Sequence, residues 1–141
     1  MGRVINPDST GKTRNQLMRT CAELLRHLSQ KQQPDADAKD MASSLVFCLR
    51  EIDSGIEQSA QAWEKRDYWM KADELRMRWT WAGMTADQLA GIILNDEWDK
   101  LPEVMIRLLP KFNDIKITKF TRSESFWQGS YARLLDEKSK T

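Results

Sequence analysis

The stretch Asn6-Pro-Asp-Ser-Thr-Gly-Lys-Thr13 comes close to a phosphate-binding loop. That loop needs Gly-x4-Gly-Lys followed by Ser or Thr, because the first glycine lets backbone amides wrap the phosphates. Asn6 stands where that glycine belongs, only Val4-Ile5 precedes it as a strand, and no parallel-sheet pattern follows, so no nucleotide site is expected. What remains is Gly11-Lys-Thr-Arg14 at the start of a helical pattern. Free amides and the helix dipole attract anions there, with Lys12 and Arg14 as helpers. The plainer reading is a Ser9 or Thr10 cap with solvated charges.

His27, the single histidine, has no Cys, Asp or Glu at ligand spacing and no neighbouring nucleophile motif. Neither a structural zinc site nor nucleophilic catalysis is expected of it. Glu64-x-x-Asp67 could put two carboxylates on one helix face, as in helical magnesium-dependent pyrophosphohydrolases. Mg²⁺ needs further oxygen ligands, and Glu51, Asp53 and Glu57 offer no matching pair. No metal or cofactor is expected.

The richest segment runs from Trp63 to Trp81. It interleaves Trp63, Tyr68, Trp69, Trp79 and Trp81 with Lys65, Arg66, Lys71, Arg76 and Arg78. Stacking rings and cations are the ingredients of single-strand binding, of a protein interface, or of a core helix whose Arg stems cover Trp rings. Glu64, Asp67, Asp73 and Glu74 bring the local charge close to zero, which weakens the nucleic-acid reading.

These residues must be positioned by helices. The chain has 141 residues, 40% of them hydrophobic and 30% charged, which fits one globular domain over 1–141. Cys21 and Cys48 are too few for a disulfide framework and fall on apolar helix faces, so a reducing cytoplasm is expected. The first ten residues lack a secretory apolar run, and no stretch approaches the roughly 18 apolar residues of a membrane helix. Met1-Gly2 begins like a myristoylation site, but Asn6 replaces the required Ser or Thr.

Pro7, Asp-Ser-Thr and Gly11 predict an extended arm over 1–11. Leu17, Met18, Cys21, Leu24, Leu25 and Leu28 then form one stripe of a helix that ends before Pro34, with Arg19, Glu23 and Arg26 on its far side. Met41, Leu45, Cys48, Leu49, Ile52, Ile56, Ser59 and Trp63 mark a second helix, and Gly55 beside that stripe would admit a neighbouring helix closely. At about 100° per residue Tyr68 leaves this stripe, so either the chain breaks near 65–67 or one long helix over 39–82 changes partners.

Tyr68, Ala72, Leu75 and Trp79 read as a core stripe, with Met70, Met77 and Trp81 as a second apolar line opposite. Gly83 predicts a helix end, and Thr85-Ala-Asp-Gln88 a capping box for the next helix, with Met84 and Leu89 as its staple. Asp96 or Asp99 caps a helix that ends at Pro110. Residues 112–121 read as extended, lying along the N-terminal arm, and a last helix covers 125–135 before a frayed tail over 136–141.

The basic N-terminal stretches Arg3-Val-Ile-Asn-Pro7 and Gly11-Lys-Thr-Arg14, with the core Trp63-Glu-Lys-Arg-Asp-Tyr-Trp69, give the chain a resemblance to bacterial all-helical proteins of unknown function. It spans most of the chain. It implies no activity and transfers no functional residues.

The expectation is therefore an all-α bundle of about five or six helices with short extended N- and C-terminal arms. Its function is read as a non-enzymatic binding or scaffolding module. Trp69, Met77, Trp81, Arg76 and Arg78 would contact a protein partner or a second copy. The alternative is nucleic-acid binding. The chain ends are basic and its middle acidic, and Arg3, Lys12, Arg14, Arg19, Lys116, Lys119 and Arg122 would grip phosphates. A third reading is a Mg-dependent nucleotide hydrolase using Glu64 and Asp67. No membrane association is expected.

Overall fold

Six α-helices follow one another in the computed structural model, which describes the backbone of residues 7–139 and the side chains of 11–139. They are α1 (Pro7–Ser29), α2 (Ala36–Lys65), α3 (Trp69–Leu94), α4 (Leu101–Leu108), the single turn α5 (Glu124–Trp127) and α6 (Ser130–Ser139). Short 3₁₀ turns flank α4 on both sides, and there is no strand among the described residues. The all-α class is thus as the sequence implies. No helix among these residues is long and apolar enough to cross a membrane.

The helix α2 is the centre. Both α1 and α3 pack along it, and α5 and α6 close over its beginning. Residues 41–46 are all buried, so this part of α2 is covered on every side instead of along one stripe. Ala42, Ser43 and Ser44 make that possible: they are small, and the Ser43 hydroxyl donates to the Lys39 carbonyl at 2.8 Å. The acidic first turns of α2 organise its neighbours. Asp35 caps the helix by accepting from the Ala38 amide at 2.8 Å. Asp37 accepts from the Trp127 indole at 2.6 Å, and Asp40 from the Tyr131 amide at the start of α6 at 2.9 Å.

Both long helices stop in the same way. After α2 the Asp67 amide donates to the Glu64 carbonyl and the Tyr68 amide to the Trp63 carbonyl. After α3 the Asp96 amide reaches Ile93 and the Glu97 amide reaches Ile92. These paired bonds close the last turn around a left-handed residue, and that residue is Asp67 (φ 64°) or Asp96 (φ 56°). Aspartate is among the few non-glycine residues that enter this region readily.

Several expectations are corrected here. Residues 7–11 are helical, because proline has a helix-compatible φ and its missing N–H is harmless in a first turn; residues 1–6 lie outside the described residues. The chain does break after Lys65, so 39–82 spans two helices. Gly83 does not end a helix: α3 runs through it, and Thr85 to Gln88 are mid-helical. Gly83 instead gives space to its neighbour, since a Cβ there would stand 2.8 Å from the Asp53 carboxylate. Gly55 has no such role, with nothing within 4 Å of its would-be Cβ. The final helix is divided by Gly129 (φ 83°), and 136–139 continue α6, held by Arg50 to Glu137 at 2.8 Å and by Lys138 to the Leu94 carbonyl at 3.1 Å.

Residues 113–123 form an irregular strap across α1. Glu23, expected on the solvent side, is buried beneath it and accepts from the Thr121 amide, the Thr121 hydroxyl (2.7 Å) and the Arg122 amide (3.3 Å). Burial pushes the Glu23 carboxyl up, but the Thr121 and Arg122 hydrogen bonds and the nearby Arg19 charge outweigh it and hold it below the usual carboxylate range. Arg19 donates to the carbonyls of Lys116 (3.5 Å) and Lys119 (3.2 Å).

A depressed carboxyl stabilises the fold above its unfolded pKa and loses that contribution as pH falls through its folded value. We expect the Glu23 contribution to be complete above about pH 5 and to fade below about pH 4. Glu23→Gln should cost about 2 kcal/mol at neutral pH and flatten this acid dependence. Urea unfolding at both pH values measures it, and parallel acid profiles for the two proteins would show that Glu23 does not hold the strap.

Candidate interaction face on the third helix

The end of α3 lies at Leu94 and not at Gly83, and this lengthens a row that the sequence reading cut short. Met70, Met77 and Met84 recur every seven residues and are 78%, 79% and 67% exposed. Seven residues turn a helix through nearly two full revolutions, so the three side chains lie in one slowly drifting line about 21 Å long. On the opposite side Ala72, Ala82, Ala86, Leu89 and Ile93 are buried, with Leu75 and Trp79 packed partly against the core. The methionine row is therefore the outward centre of the helix.

Aromatic residues extend it at the N-terminal end. Trp69 is 57% exposed and Tyr68 49% exposed. Tyr68 was expected in the core; it precedes the first turn, where its ring stands edge-on to Trp63 at 5.6 Å, and the Lys71 ammonium lies over both rings at 4.8 and 5.2 Å.

The partner-binding residues expected from the sequence thus divide. Trp69 and Met77 are on the open face, and Arg78 is exposed beside it. Trp81 is not open: it is partly buried, edge-on to Phe112 at 5.9 Å and 5.7 Å from Trp79, with the Lys111 ammonium 5.4 Å over its ring. Arg76 is a structural clamp. Its guanidinium binds Glu57 through two hydrogen bonds (3.0 and 2.9 Å) and Glu64 at 2.7 Å, and these bonds hold it strongly protonated. Met70, already on the expected second apolar line, was not among the expected partner-binding residues, and Met84 was read as a staple of the next helix. Their seven-residue spacing was the available signal, obscured when Gly83 was read as a helix end.

The basic set is scattered over several roles. Arg3 lies outside the described residues, and Lys12, Lys116 and Lys119 are exposed. Arg14 sits 5.2 Å over the Trp79 ring, and burial first, then the Arg78 charge, lower its pKa. Arg122 turns inward to the Thr20 hydroxyl at 3.3 Å and lies 5.0 Å over Phe126. The strap does bring Lys116, Lys119 and Arg122 of one terminal segment beside Arg19 of the other.

Glu64 is engaged by Arg76, and Asp67 occupies the turn beyond the end of α2. Among the described residues no group of three or more His, Cys, Asp or Glu side chains is placed to hold a metal ion. Gly11, Lys12 and Thr13 lie within α1, so they form no phosphate-wrapping loop. His27 stacks on Phe120 at 3.8 Å and lies 5.1 Å from Trp127, with its Nε2 buried and without a hydrogen-bond partner among the described residues. No protein-family model, curated protein or solved structure matches this chain.

The division predicts opposite outcomes for two tryptophans. Trp69→Ala should change stability by less than about 0.5 kcal/mol, as an exposed substitution does. Trp81→Ala should cost about 2–3 kcal/mol by opening the contact with Phe112 and Trp79. Chemical denaturation followed by circular dichroism reads both; similar losses for the two would place Trp69 in the core and remove it from the face.

Proposed function

We propose that the protein is a non-enzymatic binding or scaffolding module that engages its partner through the exposed face of α3. The observation that carries this reading is the aligned row of exposed Met70, Met77 and Met84, with exposed Trp69 and Tyr68 at its N-terminal end, on the outward side of a helix anchored on its other side. Singly scattered apolar residues are ordinary on a surface, and five large exposed ones gathered along one helix are what favours a contact site. Methionine suits that role, since its unbranched, polarizable side chain adapts to the shape of what it meets. Arg76 supports the face indirectly, by fixing α3 to α2.

A photo-crosslinking amino acid placed at Met70, Met77 or Met84 of the full chain in its host cell should give a discrete covalent adduct on irradiation. The same group at Glu103, exposed on α4, should not. Failure at all three methionine positions would rule the face out as a contact site.

A second reading, binding of a nucleic-acid backbone, has the convergence of Lys116 and Lys119 on Arg19 in its favour. Against it, Arg19 and Arg122 already serve the strap. It predicts oligonucleotide affinity that falls with salt, with Lys119→Glu lowering the log–log salt slope by about 1. Absence of binding to single- and double-stranded oligonucleotides at low salt would end this reading.

A further inference from the structure

Burial divides the methionines of this chain into two sets. Among the described residues Met41 is buried in α2, and Met18 and Met105 are partly buried against the core. Met70, Met77 and Met84 are the exposed ones, and all three lie on the outward row of α3. The solvent-facing thioethers are therefore gathered on one side of one helix.

A thioether sulfur reacts with peroxides that can reach its lone pair. The sulfur attacks one peroxide oxygen, an S–O bond forms, the O–O bond breaks, and the second oxygen leaves as water with both protons. Sulfur is oxidised by two electrons and the peroxide is reduced by two, and the product is a polar sulfoxide. Cysteine competes for the same oxidant as its thiolate. Here both cysteines are buried, and the hydrogen bond with Cys48, together with burial, pushes the Cys21 thiol up. The exposed methionine row is thus the part of the molecule open to this chemistry.

The consequences for the fold and for the face differ. Met70, Met77 and Met84 stand outside the buried core, so oxygen added there disturbs no packing. A partner meeting the row would lose apolar contact and would have to desolvate up to three polar groups.

We infer that the α3 methionine row is a reversible oxidation site, at which a peroxide turns the contact face off while the bundle stays folded. The inference rests on the binding-module reading and adds its regulation. The oxidant acts on the free face, and the sulfoxides then block association. A thiol-dependent methionine sulfoxide reductase reverses the step: two thiols become a disulfide, and the sulfoxide oxygen leaves as water.

Hydrogen peroxide on the purified full chain tests the site. Peptide mass spectrometry should find one added oxygen at Met70, Met77 and Met84 while Met18, Met41 and Met105 stay unmodified. Helical circular dichroism and the urea midpoint should not move. Oxidation of Met41 ahead of the row, or loss of helix as the three sulfoxides form, overturns the proposal. Two reductases, one for each sulfoxide epimer, should return all three residues to methionine; sulfoxides that resist both overturn the reversibility.

The switch is read with the photo-crosslinking amino acid at Met77, in host cells with and without peroxide. Adduct yield should fall at least about tenfold once Met70 and Met84 are oxidised. Met70→Leu combined with Met84→Leu keeps the row apolar without its sulfur, and this chain should give the adduct under both conditions. Met70→Gln combined with Met84→Gln imitates the polar row and should lose the adduct with no oxidant present. An adduct that survives full oxidation overturns the switch and leaves the contact face standing. Equal loss in the leucine chain places the sensitivity elsewhere and overturns it as well. If no adduct forms at any of the three positions without oxidant, the contact face and its switch both fall.

Discussion

A helix of thirty residues whose stretch 41–46 is covered on all sides constrains everything packed around it. Such a stretch has no room for long polar side chains, and 41–46 contains none. Before residue 47 its carboxylates, Asp37 and Asp40, lie only in the first turns, where unsatisfied amides and the helix dipole favour negative charge. There Asp37 and Asp40 do a second task, receiving the Trp127 indole and the first amide of α6. The C-terminal helices are thus fixed by polar bonds to the start of α2 and by apolar contact with its body. A buried donor without a partner would be costly, so these bonds also select where α5 and α6 sit.

The placement of α3 follows from the other end of α2. Asp67 in the left-handed region reverses the chain within three residues, which makes α2 and α3 neighbours along their lengths. The Arg76 clamp to Glu57 and Glu64 and the close approach of Asp53 to Gly83 fix their register. With the alanine-rich side of α3 turned inward, the methionine row has only one direction in which to face. The exposure of the row is a consequence of how the buried side is anchored.

The strap over α1 is the third part of the architecture. It is irregular, and besides the apolar contacts of Ile115, Ile117 and Phe120 its position depends on α1 supplying hydrogen-bond partners. Arg19 donates to its carbonyls, and Glu23 accepts from its amides. A donor and an acceptor on one side of a helix can hold a segment with no secondary structure of its own, because they satisfy both kinds of backbone group. The same strap brings Phe120 onto His27, which gives the single histidine a packing role.

Sequence periodicity alone determined the helical class, the apolar stripes of α1 and α2, and the need for a change near residues 65–67. These follow from local backbone geometry, which repeats every 3.6 residues whatever the surroundings. Tertiary structure decided the rest. The end of α3 lies beyond the expected Gly83 because Asp96, and not a glycine, takes the left-handed position. Glu23 was assigned to solvent because its partner Thr121 lies 98 residues away in sequence. Trp69 and Trp81 lie in similar sequence surroundings, and the packing of Phe112, Trp79 and Lys111 separates the partly buried ring from the open one. A residue's periodic position states which side of its helix it occupies; what covers that side depends on segments far along the chain, which no local pattern records.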